Sequence, residues 1–281
     1  MIRFGPAGNE TSFYDEGYKS TFQAMEWLSK KGLEAYEYQC GRGVMIGSSA
    51  ASQIQKEAVK YHIQLSLHAP YFINMATLEP DKVISSKMHM QKSYEAAKML
   101  GATRVCVHPG SFMGDTRENA TKRAHLFLKD FLDEINDESV RFCPEVMGKI
   151  NQLGDLDEVI YLCRNDERIL PTVDFGHLNA RTHGSLKTTE DFEKVIMHME
   201  NGIGTERTRM MHIHFSQIEY TAGGEKKHLT FEDTEFGPYF IRFVPVLIKH
   251  KMEPVIICES DGSMAADALR CRDMYYDQLK K

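Results

Sequence analysis

Short apolar runs that each close on a histidine or a carboxylate recur along this 281-residue chain. They read IQLSLH to His68, RVCVH to His108, RFCPE to Glu145, ILPTVD to Asp174, RMMHIH to His212 and His214, and PVIICE to Glu259. Runs of this length and apolar character are the signature of buried strands. Roughly 30–45 residues separate one closing residue from the next, enough for a strand, a helix and their connections. Parallel neighbours need such a crossover, whereas antiparallel ones need only a tight turn. The pattern therefore implies parallel strands whose C-terminal ends aim polar side chains at one place.

Helical periodicity fills the intervals between these runs. Strands are expected at about 2–5, 34–38, 63–68, 104–108, 141–146, 169–174, 209–215 and 254–259. Helices are expected at 18–31, 48–60, 81–100, 117–136, 155–164, 188–201, 235–250 and 264–280. Gly32 and Gly101 follow helices as C-cap glycines do. Asp115 or Thr116 can cap the 117–136 helix, and Thr188 or Thr189 the 188–201 helix. Eight βα units favour a closed (β/α)8 TIM barrel, one domain over residues 1–281, above an open doubly wound sheet. FGPAGNETS, after the first strand, lacks the GxGxxG loop that such an open sheet often carries. The longer connections, 69–80, 109–116, 175–187 and 215–234, all follow strand C-termini, the catalytic face of such barrels.

Composition narrows the class. Hydrophobic residues at 42% and charged residues at 26% suit a globular chain with a full core. The net charge of −6 supplies no global basic field, so a nucleic-acid partner needs a local basic rim. Lys149, Arg181, Lys187, Lys226 and Lys227 are candidates for one. The six cysteines show no CxxC spacing, and Cys106, Cys143 and Cys258 fall in expected strands, as reduced buried thiols do. MIRFGPAG reads as a strand and turn, not a signal peptide, and no apolar run approaches the roughly 18 residues of a membrane span. A cytoplasmic monomer without a membrane partner is expected.

The strand-end residues carry the chemistry. One histidine closing a strand is ordinarily a satisfied hydrogen-bonding group, and one glutamate there is as often part of a salt bridge. Six converging strand ends with no Lys or Arg among them need another neutraliser, because buried charge must be compensated. Imidazole and carboxylate suit Zn²⁺, and also Mn²⁺ or Fe²⁺. The donors exceed what one tetrahedral ion takes, which favours two or three ions with a bridging carboxylate, an arrangement suited to phosphoester hydrolysis. His212 and His214, two apart on a strand, share a face. One of them is expected to be a ligand and the other a second ligand or a substrate contact.

HAPYFIN (68–74), VHPGS (107–111), PE (144–145), VDFGH (173–177), MHIH (211–214), KKHLTF (226–231) and ICES (257–260) together resemble the endonuclease IV family of abasic-site endonucleases. The resemblance runs in order over essentially the whole chain. It implies a xylose-isomerase-like barrel with three zinc sites: one at His68, His108 and Glu145; a second sharing Glu145 with Asp174, His212 and Glu259; a third at His177 and His228. The family's Asp two residues before that last His is here Lys226, so Glu225 or His214 is the substitute for the third site. The family's ENTAGxG segment is here Glu145-Val146-Met147-Gly148-Lys149, which places the chain in a divergent branch.

The resemblance further implies double-stranded DNA with abasic sites as partner. It assigns Tyr71, Phe72 and Arg42 to the DNA contact and Glu145 and Glu259 to catalysis, with hydrolysis 5′ to the lesion by metal-bound hydroxide. The wider superfamily keeps an alternative open. A sugar or sugar-acid isomerase or epimerase with one ion needs only Glu145, Asp174, His212 and Glu259, and has no use for His68 and His108 as ligands.

Overall fold

The apolar runs form short parallel strands, and their shortness has a simple origin: each gives way to a loop or helix once its closing polar residue reaches the barrel mouth. The structure is a computed structural model and describes residues 1–112, 114–164 and 166–281. In chain order the strands are β1 (Arg3–Pro6), β2 (Ala35–Gln39), β3 (Gln64–His68), β4 (Arg104–Val107), β5 (Arg141–Pro144), β6 (Thr172–Asp174), β7 (His212–Phe215), β8 (Ile218–Thr221), β9 (Gly224–His228) and β10 (Val255–Cys258). Two parallel four-stranded sheets, β1-β10-β7-β6 and β2-β3-β4-β5, hold all but β8 and β9. Parallel bridges join the two sheets at both edges: Ala7 with Glu37 between β1 and β2, and Glu145 with Thr172 between β5 and β6. At the first seam the Glu34 N–H also donates to the Phe4 carbonyl at 3.0 Å. Gly5 permits that approach, since a Cβ there would overlap the Ala35 carbonyl oxygen.

The helices follow the expected intervals, with instructive differences. Ser48–Lys60 coincides with expectation, and Pro80–Leu100 and Ala24–Lys31 end on Gly101 and Gly32 in the left-handed region (φ 69° and 76°). Thr116 and Thr188, not Asp115 or Thr189, are the N-caps. The helix expected at 18–31 begins later, at Ala24, behind a 3₁₀ turn at Thr21–Gln23. The helix expected at 235–250 is Phe240–Lys249, because Pro238 disfavours helical geometry at the residue before it. Two segments read as loops are ordered. Phe175–Arg181 is a helix capped by the Asp174 side chain, and 218–228 is the β8–β9 hairpin. A bridge from Lys149 to Gly224 ties that hairpin to the loop after β5.

Phe175, Phe192, Phe215, Phe240 and Phe243 pack between barrel and helices, with the Phe175 and Phe243 rings 4.4 Å apart. All six cysteines are free and buried. Among the described residues no helix is long and apolar enough to cross a membrane.

Candidate metal centre

The strand ends converge on a cavity of about 410 Å³ lined by His68, Tyr71, His108, Glu145, Met147, Lys149, Gln152, His177, Glu225, His228 and Glu259. Glu145, immediately after β5, is the hub and is fully buried. Its Oε2 lies 3.3 Å from His68 Nε2 and 3.2 Å from His108 Nε2. Its Oε1 lies 3.2 Å from His177 Nδ1 and 3.1 Å from His214 Nδ1. Asp174 Oδ1 accepts the His177 backbone N–H at 2.8 Å, while its Oδ2 is buried without a hydrogen-bond partner. Glu259 Oε1 is 3.6 Å from His214 Nδ1, and its side chain is partly open to the cavity. Among the described residues every ion pair of Glu145, Asp174 and Glu259 is to a histidine.

Such a cluster is electrostatically frustrated on its own. Burial pushes the Glu145 carboxyl up, but the His214 charge and hydrogen bonds from His108, His177 and His214 hold it well below the usual range. Burial, with Glu259 and Glu145 nearby, raises Asp174 despite His177 and His214. Burial alone would lower His68 and His177, yet the surrounding carboxylates lift them to about 9 and about 10. Protons thus occupy these imidazoles where another cation could stand.

The outward ring nitrogens reveal how the set is oriented. His68 Nδ1 donates to the Ala69 carbonyl at 2.9 Å, leaving Nε2 facing Glu145. His177 Nδ1 donates to the Val146 carbonyl at 3.1 Å, leaving Nε2 free 3.5 Å from Glu225 Oε2. His228 Nδ1 meets Ser216 Oγ at 3.0 Å and turns Nε2 to Glu225 Oε1 at 3.8 Å. Fixing one nitrogen with a carbonyl or hydroxyl while the other faces carboxylates is how metal-ligating histidines are held. The orphaned Asp174 oxygen and this donor set fit divalent ions. Among the described residues four groups have ligand atoms close enough to share one: His68, Glu145 and His214, with Cys106 beside them; Glu145, Asp174, His214 and Glu259; His177, Glu225 and His228; and, away from the cavity lining, Glu37, His212 and His214.

The structure corrects the strand 7 assignment. His212 does not reach the group it was expected to join. Asp174 is in register with His214 on β7, whereas His212 pairs with Thr172, two residues lower. His212 Nε2 instead lies 2.8 Å from Glu37 Oε2. It is His214 that meets Glu145 and Glu259. Glu225 stands between His177 and His228, the place where Lys226 broke the pattern, while Lys226 pairs with Glu219. Gly148 makes this possible: a Cβ there would lie 2.6 Å from Glu225 Cβ and 2.8 Å from His177 Cδ2.

Of the expected DNA contacts, Tyr71 lines the cavity and stacks on His108 at 5.7 Å. Phe72 is half-exposed and packs edge-on against His89 outside the lining. Arg42 is exposed in the loop after β2. Of the basic candidates only Lys149 lines the cavity. Arg181 commits its guanidinium to the Met147, Lys149 and Gln152 carbonyls. Two buried groups near the hub were not anticipated. Cys106 Sγ donates to Glu145 Oε2 at 3.3 Å, and Glu37 sits beneath His214. The signal for Glu37 was a single charge between two tyrosines inside a short strand, in register with Ser66.

The model of the xylose isomerase-like TIM barrel family matches residues 25–272. The chain belongs to that family. It is 32% identical over 262 residues to the uncharacterized protein MJ0133 of Methanocaldococcus jannaschii, covering 92% of each. It is 28% identical to a probable endonuclease 4 of Staphylococcus carnosus, over 66% of this chain and 62% of that one. Among solved structures, endonuclease IV from Thermus thermophilus superposes with a TM-score of 0.73 at 18% identity, covering 99% of both chains. A D-tagatose 3-epimerase-like protein also reaches 0.73, at 17% identity, covering 99% of this chain and 97% of the other. Both likenesses speak to the fold alone. The chain is thus a member of an enzyme superfamily, with buried His, Asp and Glu clusters that can hold metal ions.

Proposed function

We propose that this protein is a metal-dependent phosphodiesterase that cuts double-stranded DNA on the 5′ side of an abasic site. The observation that carries the reading is the number of donors. His68, His108 and Glu145, then Asp174, His214 and Glu259, then His177, Glu225 and His228 make three groups around one carboxylate. A one-ion enzyme has no need of the first or third. The similarity to a probable endonuclease 4 points the same way.

Bound Zn²⁺, or Mn²⁺ or Fe²⁺ on the same donors, would supply Lewis acidity and activate water at neutral pH. Glu145 holds the groups together. Glu259, partly open to the cavity, orients the attacking water toward phosphorus, and the 3′ oxygen leaves with a proton as the P–O bond breaks. Lys149 on the cavity wall meets a phosphate oxygen. Tyr71 at the mouth stacks where a base is missing, and Phe72 and Arg42 lie farther out along the duplex.

A second reading is a single-ion sugar or sugar-acid isomerase or epimerase using Glu145, Asp174, His214 and Glu259, which form a self-contained buried group. Its two glutamates would move the proton. Elemental analysis paired with incision of a duplex carrying one abasic site, with and without chelator, separates the two. Two or three ions per chain and chelator-sensitive cutting are expected. One ion and no cutting would give the site to the isomerase.

A further inference from the structure

One layer below the mouth, Glu37 is a buried carboxylate that neither the strand-end pattern nor the metal groups around Glu145 require. It is fully hidden inside β2, and among the described residues its ion pairs are with His212 and His214 alone. Oε2 accepts from Ser66 Oγ at 2.9 Å and stands 2.8 Å from His212 Nε2. Oε1 accepts from Gln39 Nε2 at 3.2 Å and stands 3.1 Å from His214 Nε2, an ionic contact rather than an aligned hydrogen bond. Burial opposes its charge, but His214 and His212 hold the carboxyl well below the usual range.

His214 is therefore gripped at both ring nitrogens, Nδ1 toward Glu145 and Glu259 and Nε2 toward Glu37. His68, His177 and His228 orient themselves on neutral partners, two carbonyls and a hydroxyl. His177 Nδ1 shares its carbonyl with Glu145 and Asp174, each 3.2 Å away, whereas His214, among the described residues, has carboxylates at both ring nitrogens and no neutral partner. A carboxylate at Nε2 keeps a proton on that nitrogen and makes the opposite nitrogen a stronger donor to a metal. Glu37 does not line the cavity, so it touches no substrate and acts only through its neighbours. We propose that Glu37 is a positioning residue that selects Nδ1 of His214 as a ligand atom and tightens the ion shared with Glu145, Asp174 and Glu259, while His212 and Ser66 clamp Glu37 from below. This rests on the metal reading of the mouth and on no particular substrate.

The test is metal binding by the full chain carrying Glu37→Gln, which keeps the size and most hydrogen bonds of the side chain. Zn²⁺ affinity is read by competition with a chromophoric chelator, and ligand geometry by the visible spectrum of the Co²⁺-loaded protein. Glu37→Gln should keep a native circular dichroism spectrum, bind one of its ions about 10–100-fold less tightly and shift the Co²⁺ bands. Should Glu37→Gln not fold, Glu37→Asp, with the charge kept and the reach shortened, is expected to show the same loss. Wild-type affinity and an unchanged Co²⁺ spectrum, with only a lower melting temperature, would reduce Glu37 to a structural residue and overturn the proposal. A wild-type chain that binds no divalent ion would overturn it together with the metal reading. A chain that binds ions yet leaves abasic DNA intact breaks the DNA reading only.

Discussion

Glu145 and Glu37 are both inaccessible to solvent, both lack an arginine or lysine partner among the described residues, and both face the same imidazole, His214. Their surroundings differ in one respect. Glu145 has four imidazoles around it, of which His68, His108 and His177 also line the cavity. Glu37 has two imidazoles, a serine hydroxyl and a glutamine amide, and no cavity wall. A carboxylate that many imidazoles approach from an open side is placed to share cations. One enclosed by donors that satisfy it is placed to hold its neighbours. The barrel stacks these two arrangements a single strand layer apart.

The sharpest way to break this comparison is to neutralise each carboxylate. Glu145→Gln should leave the far-ultraviolet spectrum native while removing more than one ion per chain, and incision should fall by more than the roughly 10–100-fold typical of a supporting residue. Glu37→Gln should stay within that range. Equal losses from the two variants would erase the distinction between the layers.

The same contrast exists within one strand. His214→Ala should cost at least one bound ion and nearly all activity. His212→Ala should retain the ion count but lose on the order of 3 kcal/mol of stability, because it strips a buried carboxylate of its closest partner. Urea unfolding and elemental analysis of the two proteins give the answer, and an ion lost from His212→Ala would return that residue to the ligand set.

This pair also marks where the sequence stops being readable. The barrel and the convergence on Glu145 follow from runs whose last residue is His, Asp or Glu, since strand ends face the mouth. His212 and His214 share a face, so period-2 reasoning could not choose between them. The choice depends on register with β6, which sets Asp174 beside His214 and is a long-range property. Glu37 escaped because it lies inside β2 rather than at its end, and its meaning appears only when Ser66 and His212 come from other strands to meet it. The β8–β9 hairpin escaped because its strands carry charge on both faces, as GEKKH does, so no apolar alternation announced it.

That hairpin sets up a smaller test, since it brings Glu225 to a corner where Lys226 stands in the pattern of the resembling family. Gly148→Ala should push Glu225 away from His177, and Glu225→Gln should remove its charge. Both are expected to lower the ion count by one and to slow incision, leaving the Glu145 group loaded. Full occupancy in both would show that His177 and His228 need no carboxylate from the hairpin.

The gentlest difference concerns the metal-free protein. His68 and His177 are lifted to about 9 and about 10 by the carboxylates around them, above the roughly 6.5 of an unfolded chain. A histidine raised by folding stabilises fully below its unfolded value, and that contribution is lost as pH rises through the folded one. Stability of the chelator-treated protein should therefore decline between about pH 6.5 and pH 10, as Glu145, Asp174 and Glu259 are left facing one another without protons. Metal-loaded protein should show little of this decline, because the ions replace the protons at the same carboxylates. His212, driven down to about 4 by burial despite Glu37, works the other way: the unfolded chain takes up its proton first, so the layer below the mouth costs stability as pH falls from about 6.5 to 4. Melting temperatures across roughly pH 5–10, with and without Zn²⁺, would separate the two layers. An alkaline decline that survives metal loading would mean that the ions do not sit among these histidines.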